Sequence, residues 1–162
     1  MGLCDCGATP GPLGPCADYY HTILADEQRD PEMRPWHTVV VCAYLLQHPG
    51  RGHERYLDGQ FRILQFYLDK GLDALIRMSV HQVARNNHRA RSGYDMRPLE
   101  SYEPLPPGGP PERFRTAFSD LPYGGGGFVS DGHPAYGERM RNLAEATAES
   151  WKAIGPGSPE RG

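Results

Sequence analysis

The 162-residue sequence lacks the features that mark membrane and nucleic-acid-binding proteins. It has no run of about 18 apolar residues, the length that a membrane-spanning helix needs. Its formal net charge is −3 and its pI is near 6.1, so it has no excess of positive charge to attract nucleic acid or an anionic lipid surface. We therefore expect neither nucleic acid nor a membrane as a partner.

Familiar catalytic and targeting motifs are also missing. The sequence contains no Walker loop, no dinucleotide-binding fingerprint, no Gly-x-Ser-x-Gly elbow and no His-Glu-x-x-His pair. Its first residues have neither the basic region nor the apolar region of a signal peptide, which favours a soluble cytoplasmic protein. These absences argue against the common motif-bearing enzymes and leave any other activity unassigned.

Cysteine is scarce and unevenly placed. Three of the four cysteines, Cys4, Cys6 and Cys16, lie in the first 16 residues. A reducing cytosol disfavours structural disulfides, so crowded cysteines there indicate metal binding or thiol chemistry. The fourth, Cys42, lies in an apolar stretch and is expected to be an inert, buried residue.

Apolar periodicity predicts an all-α fold, a small bundle of about five helices in one domain spanning 1–162. The spacing of apolar residues, with capping residues and stops, predicts helices over 18–28, 31–47, 55–69, from 72 into the basic stretch 85–89, and over 135–154. Pro35 is the residue that could remove the first turn of the second helix. The centre of that helix is apolar on nearly every side, which is typical of a central core helix.

The 20 glycines and 16 prolines cluster outside these helices and divide the chain. We predict a Cys-rich metal loop over 1–16, a helical core over 17–90, a long loop region over 91–134 with at most one helical turn near 113–118, a closing helix over 135–154 and a disordered tail over 155–162. A loop as long as 91–134 is either disordered or functional.

The three early cysteines form the strongest chemical signal. Thiolates are soft ligands that suit zinc, and a tetrahedral site needs four converging donors. The segment between Cys6 and Cys16 is rich in glycine and proline, so it can fold back and bring Cys16 to Cys4 and Cys6. The alternative is three unpaired surface thiols or a transient disulfide, since exposed cysteines oxidise readily.

The fourth ligand has two candidates on the second helix. His37 is preferred, because a short first helix would leave Cys16 near the start of the second. His48 lies 11 residues further along, about 16 Å away by helical rise, so one ion cannot take both. As a lone histidine, His37 could equally be a hydrogen-bonded packing residue.

A second candidate site lies at the far end of the second helix. Tyr44, Gln47 and His48 are placed to line a pocket there, and His53 and Glu54 lie nearby in the following turn. A histidine beside a carboxylate can do acid–base work at neutral pH. The alternative, which we prefer, is an ordinary helix end whose polar side chains satisfy free carbonyls.

Several motifs together resemble an uncharacterised family of small bacterial proteins. They are Cys6-Gly7-Ala8, the lone Cys16, His37 followed by Ala43-Tyr44-x-x-Gln47-His48-Pro49, the Leu68-Asp69-Lys70-Gly71-Leu72 turn, and Ala148-x-x-Trp151. That family typically begins with Cys-x-x-Cys-Gly, so Cys4 is displaced here by one residue, and it often has an acidic residue in place of Cys42. The resemblance implies a helical, metal-binding protein of unassigned activity.

Three functions follow from these observations. The first is a zinc-binding protein with a closed, structural site of three cysteines and His37. The second is a metal-dependent enzyme that acts on a small molecule through an open coordination position. The third is an adaptor that docks its proline-rich stretch, 104–111, on a protein partner as a polyproline helix.

Overall fold

A computed structural model describes residues 3–88 and 96–154 of the chain. Its helices are α1 (Cys16–Arg29), α2 (His37–Gln47), α3 (Glu54–Lys70), α4 (Leu72–His88) and α5 (His133–Ala153). Within the described ranges there is no β-strand, only two isolated bridges between glycines. The predicted all-α bundle of about five helices is therefore confirmed. The predicted disordered tail, 155–162, lies outside the described residues.

The start of α2 differs most from the sequence prediction. The helix was expected from residue 31, but it begins at His37, after a 3₁₀ turn at Arg34–Trp36. Pro35 lies inside that turn and has no N–H to donate, so the α-helical hydrogen bonding begins only after it. Asp30 begins the connection after α1, and its side chain accepts the backbone N–H of Glu32.

Helix α2 is the centre of the molecule, as its apolar composition predicts. Its residues Val39, Val40, Ala43 and Leu46 are completely buried. It contacts α1, α3 and α5. Helix α5 closes the bundle, and Trp151 fixes its end by donating its indole N–H to the carbonyl of Leu46 over 2.8 Å. None of the helices in the described part of the chain is long and apolar enough to cross a membrane.

Polar side chains of α3 hold the loop that follows α4. Gln65 donates to the carbonyl of Glu103 and accepts its N–H, and Asp58 accepts the N–H of Leu105. Arg62 donates to the carbonyls of Leu99, Glu100 and Tyr102. The described part of this region contains two 3₁₀ turns, at Arg97–Leu99 and Phe118–Asp120. The prediction of at most one helical turn, near 113–118, is therefore wrong.

Candidate metal centre

Four potential metal ligands converge at one end of the α1–α2 pair. The Sγ atoms of Cys4, Cys6 and Cys16 and a ring nitrogen of His48 all lie within 4.8 Å of one another. The Sγ atoms of Cys6 and Cys16 are 3.7 Å apart, and Cys4 Sγ is 3.2 Å from His48 Nε2. These four residues are close enough to hold a metal ion. We call them the Cys3His cluster.

A tight turn supplies the first two thiols. The N–H of Gly7 donates to the carbonyl of Cys4 over 2.8 Å, which closes the turn Cys4-Asp5-Cys6-Gly7. Gly7 has a φ of +84°, in the left-handed region, and a Cβ there would overlap the carbonyl oxygen of Glu112. Glycine is therefore required by both the backbone conformation and the close approach of the later loop.

Cys16 joins the cluster as the first residue of α1. Its Sγ lies 3.6 Å from the hydroxyl of Ser119, which itself donates to the carbonyl of Thr9 over 2.8 Å. The Cys6 thiol lowers the pKa of Cys16 by hydrogen bonding to it, and His48 and Ser119 lower it further. The same contact and burial raise the pKa of Cys6. The cluster thus favours a thiolate at Cys16, the form that binds metals.

His48 caps the C-terminal end of α2, and its tautomer can be read from its contacts. Its Nδ1 lies 2.8 Å from the carbonyl oxygen of Tyr44. A carbonyl oxygen only accepts hydrogen bonds, so Nδ1 carries the proton and Nε2 is free to bind a metal. The ring of Tyr44 stacks on the imidazole at 4.4 Å and on the ring of Tyr20 at 3.9 Å, which fixes the imidazole plane.

The cluster is closed to solvent on most sides. The exposed fractions are 1% for Cys6, 0% for Cys16 and 2% for His48, whereas Cys4 is only partly buried. Four protein donors in a buried group leave no obvious place for a substrate, which is typical of structural rather than catalytic zinc sites.

Comparison with known proteins gives a family but no function. The model of a family of unknown function, DUF5946, matches residues 2–152. The chain belongs to this family. No curated protein and no solved structure matches it. The resemblance noted from the cysteine and histidine motifs is therefore confirmed.

The DUF5946 chain does not bring His37 to the three cysteines. His37 Nδ1 lies 2.7 Å from Glu27 Oε2, and its side chain is 56% exposed. Glu27 is near the end of α1 and His37 at the start of α2, while Cys16 and His48 meet at the opposite ends of the same helices, so α1 and α2 are antiparallel. The expectation that Cys16 lies near the start of α2 is thus wrong, because α1 is 14 residues, or about 21 Å, long.

Tyr44 and Gln47, predicted as pocket residues with His48, have different surroundings in this DUF5946 member. Tyr44 forms a wall of the Cys3His cluster through its stacked ring. Gln47 Nε2 donates to the carbonyl of Thr116 over 2.9 Å and to the hydroxyl of Thr147 over 3.0 Å. Gln47 therefore ties α2 to the long loop and to α5.

The fourth cysteine of the DUF5946 chain stands apart from the cluster. Cys42 lies in the middle of α2, is 3% exposed and has a pKa raised by burial to about 12. A buried thiol of this kind reacts slowly, as expected for a packing residue.

The proline-rich stretch 104–111 of the DUF5946 chain does not form one continuous extended segment. A turn at residues 107–108 interrupts it, and Gly109 has a φ of +82°. Pro104, Pro107 and Pro110 are exposed, whereas Pro111 is buried. A polyproline helix needs φ near −75° throughout, so the stretch as a whole does not have the required conformation.

Proposed function

We propose that this protein binds one zinc ion through Cys4, Cys6, Cys16 and His48, and that the ion has a structural role. The geometry of the cluster carries the proposal. With Zn–S near 2.3 Å and Zn–N near 2.0 Å, the edges of a ligand tetrahedron are about 3.8 Å for two sulfurs and about 3.5 Å for sulfur and nitrogen. The separations of 3.7 Å and 3.2 Å in the cluster are close to these values.

The donor set also favours zinc over other common cations. Three thiolates and one imidazole are soft or borderline donors, whereas magnesium and calcium take oxygen ligands. His48 is held in the tautomer that a ligand needs, because its protonated Nδ1 donates to the backbone carbonyl of Tyr44. Such a second hydrogen bond is the usual companion of a metal-binding histidine.

A structural role is supported by the position of the cluster, which joins residues 3–15 to α1 and α2. Residues 3–15 form no helix, and apart from the cysteines only the small or partly buried side chains of Ala8 and Leu13 pack against the core, while Leu3 is exposed. Cys4 and Cys6 of this segment meet the start of α1 at Cys16 and the end of α2 at His48. A bound ion would therefore attach the segment to the helical core, and its binding energy would contribute to folding.

The rival function is a metal-dependent enzyme. It requires an open coordination position, so one of the four protein ligands would have to leave during the reaction. Cys4 is the one ligand with partial solvent access and would be the residue displaced. The buried state of the other three donors favours the structural role.

Metal content, two ligand variants and one control variant test the proposal. We expect one zinc per chain by native mass spectrometry, and loss of both zinc and cooperative folding in His48→Ala and in Cys16→Ser. His37→Ala is the matched control, because His37 is on the same helix but contacts Glu27 instead of the cysteines. Zinc retained by His48→Ala but lost from His37→Ala would overturn the assignment.

An enzyme site gives a different pattern in the same experiment. Folded His48→Ala protein with altered metal affinity and an unchanged melting temperature would favour the catalytic alternative. Purified wild-type protein that carries no metal and takes up none would contradict both functions.

A further inference from the structure

Cys4 differs from the rest of the Cys3His cluster in its access to solvent. Cys6, Cys16 and His48 are almost completely buried, whereas Cys4 is partly exposed. On the basis of the proposed zinc site, we propose that Cys4 is a modification site for hydroperoxides, at which oxidation forms a Cys4–Cys16 disulfide and expels the metal. Oxidation would then release residues 3–15 from the helical core, because the metal that attaches them is lost.

Access decides which sulfur reacts first. A hydroperoxide must reach a thiolate directly to form a sulfur–oxygen bond, so the partly exposed Cys4 is attacked before its buried neighbours. Cys42 lies outside the Cys3His cluster and is buried. Its extent of oxidation therefore serves as an internal reference for a thiol that binds no metal.

The neighbouring thiolates determine the product. All the ligand atoms lie within 4.8 Å of one another, so either Cys6 or Cys16 is near enough to attack an oxidised Cys4 after a small movement. Cys4 and Cys6 share one turn, closed by the Gly7 hydrogen bond, and a disulfide between them would have to distort that turn. Cys16 is on a separate element beyond a glycine- and proline-rich connection that can adjust, so we assign the bond to Cys16.

The chemistry balances without a further co-reactant. The Cys4 thiolate attacks one oxygen of hydrogen peroxide, the O–O bond breaks, hydroxide leaves and a sulfenic acid forms. The Cys16 thiolate then attacks the Cys4 sulfur and expels a second hydroxide. Two thiolates lose two electrons and the peroxide gains them, and solvent protonates both hydroxides. Cys6 and His48 alone are too few donors to retain a tetrahedral ion.

The test uses the full chain, reduced and loaded with zinc. Hydrogen peroxide is added while a chromogenic chelator reports free zinc, and the remaining thiols are then alkylated and mapped by mass spectrometry. Cleavage before Asp5 separates Cys4 from the peptide that carries both Cys6 and Cys16, and fragmentation identifies the partner. We expect complete loss of zinc, loss of two of the four thiols and a Cys4–Cys16 link, all reversed by dithiothreitol with added zinc.

A control and two outcomes make the test decisive. Cys42→Ala is expected to release zinc as the wild type does, because Cys42 lies outside the cluster. Zinc retained in peroxide, or a Cys6–Cys16 link with Cys4 still alkylated, would overturn this inference and leave the zinc site standing. A chain that binds no zinc before peroxide is added would overturn the proposed function as well.

Discussion

At the scale of single residues, Tyr44 controls both the tautomer and the plane of His48. Its backbone carbonyl accepts the Nδ1 proton, and its ring covers one face of the imidazole. Tyr20 stacks on the other face of the Tyr44 ring, so the three rings form one column beside the cysteines. Tyr44, four residues before His48, thus positions the imidazole.

Replacing the Tyr44 ring tests this role. Tyr44→Leu keeps the backbone carbonyl but removes the stacked ring, and we expect zinc affinity to fall about tenfold, the lower end of the usual effect of losing a ligand's supporting contact. Tyr44→Phe keeps the ring and is expected to retain the wild-type affinity. Competition with a chelator of known affinity measures both. Equal zinc affinity in the Leu and Phe variants would show that the ring does not position His48.

The candidate ligands could be predicted from the sequence in part. The three cysteines could be found because thiols that crowd into a glycine- and proline-rich segment have few structural uses other than metal binding. The sequence favours His37 over His48 because a short first helix would leave Cys16 near the start of the second. This prediction is wrong because helix direction, not spacing, decides which end of α2 meets Cys16. An antiparallel helix pair places the start of the first helix beside the end of the second.

At the scale of elements, helix existence could be predicted more reliably than the surface each residue faces. The helical spacing of Leu72, Leu75, Ile76, Val80 and Val83 predicts one buried stripe along α4. Leu75 is in the core, yet Val80 and Val83 are 64% and 60% exposed. Helix α4 contacts α3 and the 3₁₀ turn at Arg34–Trp36, and neither neighbour covers Val80 or Val83. Periodicity shows which residues share a face but not how far the partner extends.

The start of α5 is joined to the connection after α1 by a histidine between two carboxylates. His133 Nε2 lies 2.7 Å from Asp30 Oδ2, and its Nδ1 lies 3.2 Å from Glu32 Oε2. The hydrogen bond with Asp30 raises the pKa of His133 above its usual 6.5, and the same contact lowers the pKa of Asp30. Both ring nitrogens face acceptors, so the imidazolium is the form that fits.

The contact between His133 and Asp30 predicts that the free energy of unfolding depends on pH above neutrality. A group whose pKa is raised on folding stabilises the fold fully below its unfolded pKa, and that contribution is lost as the pH rises through the folded pKa. We therefore expect His133→Gln to be less stable than wild type at about pH 6 and nearly equal to it at about pH 9. Urea unfolding of both proteins at the two pH values measures the difference. A difference that stays constant with pH would contradict the assignment.

At the scale of the whole molecule, the Cys3His cluster lies where three distant parts of the chain meet. The first segment supplies Cys4 and Cys6, the α1–α2 pair supplies Cys16 and His48, and the long loop covers them through Ser119. Gly7 and Gly11 are so close to this loop that a Cβ at either would overlap the carbonyl oxygens of Glu112 and Ser119. The sequence could predict the loop's length but not its contact with the cluster, because that contact joins residues more than 100 positions apart.

This arrangement predicts that metal removal exposes the loop to proteolysis. Without an ion, the segment that carries Cys4 and Cys6 loses its attachment, and the loop loses the surface against which Glu112 and Ser119 pack. We expect a chelator to accelerate tryptic cleavage after Arg113 and Arg115 in the reduced full-length chain, and added zinc to restore resistance. Cleavage after Arg51, which follows α2, is the internal reference and should change less. Equal cleavage at both places with and without chelator would mean that the helical core alone, through the Gln47 bond to Thr116, keeps the loop in place.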